Sequence, residues 1–149
     1  MPTYVAKVPA GLLNAAQKLA MARAIAKRHV EASGTPKFMS QVLIDEDSPT
    51  ALRFVGGEPV GEADPKGHIW IRADIKAGRP AEFKKNLMFN IINDVSQITG
   101  VRKEFVWVYL NDLLPDGVVE FGQVLYKGPE DQAGWIASLP EDIRAKLGK

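Results

Sequence analysis

The chain repeats itself. Shifted by 66 positions, residues 2 to about 46 align without a gap with residues 68 to about 112: Tyr4 falls on Trp70, Val5 on Ile71, Ile25 on Ile91, Gly34 on Gly100 and Val42 on Val108. A repeat of this kind constrains the fold more than any single element, because both copies must build the same unit. In the first copy, Thr3–Val8 is a β-branched and aromatic run ended by Pro9 and Gly11, which reads as a strand. From Asn14 to about Ala32, the residues Ala15, Leu19, Ala22, Ile25, Ala26 and His29 recur at three- and four-residue spacing. That spacing predicts an amphipathic helix, stopped by Gly34 and Pro36. Residues 39–44 read as the next strand. The second copy repeats the order: a strand over 68–76, a helix over 80–99 with Phe83, Leu87, Ile91 and Ile98 on one face, and a strand over 104–110.

The expected architecture is therefore α/β (α+β): two tandem β-α-β units forming a four-stranded sheet with two helices on one face. The units span 2–46 and 68–112, joined by a linker loop over 47–67 that holds a brief strand near 51–55. A tail over 113–149 carries short helical stretches near 131–137 and 141–147. The strands of each unit should run parallel, because a helical crossover returns the chain in the same direction. The other face of the sheet is left open and must be covered, by the tail or by other subunits.

Composition narrows the function classes. With 149 residues, 46% hydrophobic and 25% charged, the chain is one globular domain in size and character. No apolar run reaches the roughly 18 residues of a membrane helix, and the start lacks a basic region followed by an apolar stretch. Cysteine is absent and there are only two histidines, so no disulfide, thiolate site or multi-histidine metal centre is expected. Lys and Arg number 19 against 18 Asp and Glu, a balance that does not favour nucleic acid. These features point to a cytoplasmic protein without a cysteine-based or multi-histidine metal centre.

In a doubled scaffold, positions that break the repeat are candidates for function. His29 pairs with Val95, Lys76 with Ala10, Arg79 with Leu13 and Tyr109 with Leu43, so a polar side chain replaces an aliphatic one four times. Pro2 pairs with His68. A methionine followed by proline is normally removed after synthesis, which would leave Pro2 as a secondary amine at the head of a strand. Free α-amino groups titrate near about 7.7–8.0, so such an amine can take or give protons without a metal.

The MPTY start, HIWIRADIKAGR, VWVYLNDLLP, VVEFGQVL, GWIASLPEDIRAKL and the linker segment FVGGEPVG occur in the order found in one family. The chain resembles the tautomerase superfamily, and within it the fused β-α-β subgroup typified by cis-3-chloroacrylic acid dehalogenase. The resemblance implies that Pro2 is the central acid or base and that His29 helps hold a substrate carboxylate. It implies a carboxylate clamp at the end of the third strand, where the family's R-x-x-R reads here Lys76-Ala77-Gly78-Arg79. It implies that Tyr109 and Glu120 orient and activate water, with Glu120 holding Pro2 in its cationic form if close to it. It also implies a homotrimer acting on a small carboxylate without metal or cofactor. The sequence departs from the pattern twice: Lys76 keeps the charge but loses the planar two-pronged donor, and Gln123 stands where the family has arginine. Arg72 cannot compensate for Lys76, because four strand residues span roughly 13 Å. Dehalogenation is weakened by these changes more than hydration of another unsaturated acid or keto–enol tautomerisation. Two other readings stand beside the enzyme: a non-catalytic oligomerisation domain, and an RNA-recognition-like module, which shares the element order but lacks the stacking aromatic at Ala73.

Overall fold

The first strand, β1 (Thr3–Val8), alternates buried and half-buried residues along its length, and Tyr4, Ala6 and Val8 point into the core. This is the period-two pattern of a strand with one face against helices. A computed structural model describes residues 2–60 and 65–147. Met1, whose removal is expected from the sequence, residues 61–64 of the linker and Gly148–Lys149 of the tail lie outside the described residues.

Helix α1 (Ala15–Ser33) starts at Asn14, whose side chain accepts from the Gln17 N–H while the Gln17 side chain bonds back to the Asn14 N–H. It ends at Gly34 in the left-handed region, φ 67°, where a β-carbon would be strained. Its buried face is Met21, Ile25, Ala26 and His29. Leu19, expected on that face, is instead half exposed; one residue of phase separates a core stripe from its flank. A 3-10 turn at Lys37–Met39 precedes β2 (Gln41–Glu46), so this strand begins two residues later than its apolar run suggests. The linker carries a two-by-two hairpin, β3 (Phe54–Val55) and β4 (Glu58–Pro59). Then follow β5 (Ile69–Lys76), α2 (Ala81–Thr99, with Pro80 at its N-cap) and β6 (Val106–Leu113).

The sheet order is β2-β1-β5-β6. Strands pair parallel within each unit, and β1 runs antiparallel to β5 in the centre. The central register pairs Val5 with Arg72 and Ala6 with Ile71, and the 66-residue shift exchanges these two pairs. A pseudo-two-fold axis therefore passes between β1 and β5. The two strands of each unit are direct neighbours, unlike the split β-α-β arrangement of RNA-recognition-type folds, which removes the structural basis of that reading.

Both helices pack on one face, where Met21 and Ile25 of α1 meet Leu87, Ile91 and Val95 of α2 and the inward residues of β1 and β5. Arg28 and Asp94 occupy the same position in the two copies and bond each other across the pseudo-axis, with the guanidinium nitrogens 2.6 and 2.9 Å from the carboxylate oxygens. Two unfused copies would place like charges there; fusion lets them differ. Arg28→Glu is expected to lower the Tm, and adding Asp94→Arg to restore it. A double variant no more stable than Arg28→Glu would contradict this.

The tail does not cover the open face. Its short hairpin, β7 (Val119–Glu120) and β8 (Gln123–Val124), turns through Phe121 and Gly122, at φ 53° and 78°. Positive φ at both central residues is the turn that matches strand twist, and it is strained at an aromatic residue. Packing of the Phe121 ring, 6.1 Å from that of Trp135, offsets that strain. Helices α3 (Gln132–Ala137) and α4 (Glu141–Leu147) complete the tail. Met39, Leu125, Trp135 and Leu139 form a second core with Phe38, Phe121 and Tyr126. Leu43, Arg72 and Tyr109 remain exposed on the open face. Among the described residues no helix is long and apolar enough to cross a membrane.

Candidate active site

The antiparallel pairing of β1 and β5 matches Thr3 with Asp74 and so brings Pro2 beside the end of β5. Pro2 is buried, and its carbonyl accepts from the Gln41 N–H at 3.0 Å. It lines a small cavity together with His29, Lys76, Arg79, Thr35 and Tyr126, closed by the apolar Met39, Ile75 and Leu125. The cavity measures about 20 Å³, room for one water. Four residues nominated by the sequence, from the head of β1, from α1, from β5 and from the turn after it, thus surround one space.

His29 reaches the cavity from α1. Its Nδ1 lies 2.7 Å from the hydroxyl of Tyr4, which is fully buried. That contact is the only one the Tyr4 hydroxyl makes among the described residues, so donation from Tyr4 to Nδ1 is the arrangement that leaves no buried hydroxyl proton unsatisfied. The imidazole then carries its proton on Nε2 and presents a donor. Burial, and next the charge of Arg79, push the His29 pKa down to about 4, so the ring is neutral at pH 7.

The end of β5 and the turn after it supply the charge. The Arg79 guanidinium lies over the Phe83 ring, 5.3 Å from its centroid. The Lys76 ammonium lies over the Tyr126 ring at 4.0 Å. Burial, and next the Arg79 charge, hold Lys76 below its usual range. Burial raises Tyr126, with the Arg79 cation and the Glu120 carboxylate acting in opposite directions on it. No carboxylate is among the described residues lining the cavity.

The other two nominated residues do not line it. Tyr109 is half exposed on the open face of the sheet, its ring edge-on to Trp70 at 5.7 Å. Glu120 is on β7, near enough to act on Tyr126. Gln123, one of the two departures from the family pattern, is tied to Ser138 in the tail by bonds of 2.8 and 3.2 Å. Arg72 pairs with Asp74 on the open face. Sequence reasoning missed Tyr126 and Thr35. Both sit in irregular segments where no periodicity reports direction.

A larger cavity, about 370 Å³, includes His68, Pro9 and Ala10 in its lining. These are the repeat partners of Pro2, Ile75 and Lys76, so it is the pseudo-symmetric counterpart of the Pro2 cavity. Its Arg53 is already held by Asp47 at 2.5 Å and bonded to the His68 carbonyl. The paired cations of the smaller cavity have no equivalent there, since Ala10 and Leu13 replace them.

No family model matches this sequence, and none of the curated proteins matches it. Solved structures do. A member of the cis-3-chloroacrylic acid dehalogenase family is similar over 98% of this chain and 98% of its own, at TM-score 0.86 and 30% identity. A symmetric trimer of fused 4-OT is similar over 83% of this chain and 94% of its own, at TM-score 0.71 and 22% identity. Macrophage migration inhibitory factor of Toxoplasma gondii is similar over 79% and 95%, at TM-score 0.65 and 18% identity. The last two share the fold.

Proposed function

This chain belongs to the cis-3-chloroacrylic acid dehalogenase family of the tautomerase superfamily, and on that premise we propose that it is a cofactor-independent enzyme whose Pro2, freed by removal of Met1, moves a proton on a small enolic or α,β-unsaturated carboxylate. The observation that carries this reading is the grouping of Pro2, His29, Lys76 and Arg79 around one small cavity. Arg79 offers a planar fork to the carboxylate, Lys76 a point charge and His29 an Nε2–H donor. The Lys76 and Arg79 cations in the lining favour an uncharged proline amine, which is a base. In keto–enol tautomerisation that amine takes the proton of the 2-hydroxyl of an enol acid and returns it to C3, leaving the ketone. This reaction asks nothing of Tyr109 or Glu120.

Hydration asks more. Water must add to C3 while Pro2, now protonated, delivers a proton to C2, with Glu120 and Tyr109 activating the water. Tyr109 lies on the open face of its own sheet, so its part in this step requires a second copy of the chain to carry it to the cavity. The open face favours such an assembly: Leu43 and Tyr109 are half exposed on it. We therefore include a homotrimer in the proposal, in keeping with the trimeric fused 4-OT of the same fold. Sedimentation as a monomer would contradict that part.

The test is proton NMR of the protein with a small enolic α-keto acid and a cis-3-haloacrylate. Ketonisation alone supports the tautomerase half. Appearance of malonate semialdehyde supports hydration as well. No change in either substrate overturns the proposal. Lys76→Arg is expected to lower KM several-fold, because a fork replaces a point charge at the same strand end; an unchanged or higher KM would show that Lys76 does not meet the carboxylate.

A further inference from the structure

The Pro2 cavity, at about 20 Å³, is smaller than any carboxylic acid it is proposed to hold. An acid therefore sits partly outside it, toward the side of the wall that is open to solvent. Met39, Ile75 and Leu125 are 5% exposed or less and are set in the two cores, and His29 is equally buried and bonded to Tyr4. Close packing leaves such side chains little freedom. Lys76, Arg79 and Tyr126 are only partly buried. Arg79 stacks on Phe83, a residue of the helix that follows. Lys76 is held by Tyr126 itself. Tyr126 belongs to the irregular stretch between β8 and α3, and its ring rests against Trp135 at 5.6 Å. The side open to solvent is therefore the one lined by Lys76, Arg79 and Tyr126, with Trp135 behind the Tyr126 ring.

We infer that Tyr126 is the specificity-determining residue of this cavity: its ring seats the Lys76 ammonium and occupies the space beyond the carboxylate, so that short unbranched acids enter and longer ones are turned away. The inference rests on the proposed reading of the Pro2 cavity as a carboxylate site. An ammonium has three donors and no required plane, so Lys76 can keep the ring on one side and take a carboxylate oxygen on the other. An arginine would bring its own fork geometry; a lysine needs something to hold it, and the ring does so. Beyond Lys76, the ring stands where the tail of a longer acid would lie against Leu125. One methylene misplaced in such a pocket costs on the order of tenfold or more in discrimination.

The experiment reads binding, separately from turnover. Acetate, butyrate and hexanoate are titrated into isotopically labelled protein and followed by NMR, for the natural sequence, Tyr126→Phe, Tyr126→Leu and Tyr126→Ala. Tyr126→Leu keeps an apolar contact for Trp135 and guards against unfolding of the tail. In the natural protein acetate should bind at least about tenfold more tightly than hexanoate. Tyr126→Phe should keep that preference and the upfield ring-current shift of the Lys76 ε-methylene protons. Tyr126→Leu and Tyr126→Ala should lose the shift, and the preference should fall by about tenfold or reverse. An unchanged preference in folded Tyr126→Leu and Tyr126→Ala overturns the role of Tyr126 and leaves the carboxylate reading standing. A folded natural protein that binds none of the three acids overturns the carboxylate reading and this inference with it.

Discussion

Pro2→Ala is expected to cut turnover of an enolic acid by about 10²–10⁴-fold while the fold survives. That range is what a positioned acid or base typically contributes. The substitution keeps an amino terminus at the same place, since methionine is removed before alanine as before proline. It replaces a rigid secondary amine with a less basic primary amine that rotates freely. The backbone bond from the Gln41 N–H to the residue 2 carbonyl does not depend on the ring, so the head of β1 should stay docked. Circular dichroism and sedimentation should match those of the natural protein, and NMR should show the enol persisting. Undiminished turnover in a folded Pro2→Ala protein would end the proposal. So would mass spectrometry showing Met1 retained in an active preparation, because Pro2 would then be a tertiary amide with no basicity.

Acid should destabilise the protein through His29 by about 3 kcal/mol. The His29 pKa is about 4 in the fold against 6.5 for the ordinary side chain, with burial as the main cause and the Arg79 charge second. As pH falls through 6.5 the unfolded chain takes up a proton that the folded ring refuses. The unfolded state binds more protons, so stability rises with pH across this window. The contribution is complete above about pH 6.5 and is lost as pH falls towards 4, at about 1.4 kcal/mol per unit. His68, lowered by burial and then by Arg53, acts in the same direction. Carboxylates titrate nearby, so the informative quantity is a difference. Urea midpoints at pH 7 and pH 4.5 should separate by less in His29→Gln than in the natural protein. Equal separations would mean that burial of His29 carries no such penalty.

Much of this molecule was legible because it is doubled. β1 spans the six residues its pattern suggested, and the parallel pairing within each unit follows from a helical crossover. Strand starts were harder: the runs beginning at Met39 and Glu104 are opened by 3-10 turns, so β2 and β6 begin at Gln41 and Val106. Apolar residues extend the run without saying where hydrogen bonding begins. The tail hairpin was missed because two residues per strand carry no period, and its turn uses Phe121 where glycine or asparagine would have signalled it. Tyr109 was nominated beside Glu120 from the family pattern, yet it points to the open face. A strand side chain's face follows from register, and its nearest useful partner can lie on another copy of the chain.

The amino-acid sequence alone determined two β-α-β units, their helix stops at Gly34 and Gly100, and the chemistry available where the repeat breaks, because these depend on local periodicity and on residue type. Only the tertiary structure decided which of those breaks meet. The antiparallel seam between β1 and β5 brings Pro2 to the turn carrying Lys76 and Arg79, α1 delivers His29 to the same point, and the tail sets Tyr126 against Lys76. Those contacts join residues far apart in the chain, and their geometry comes from packing two cores together, which no local pattern encodes.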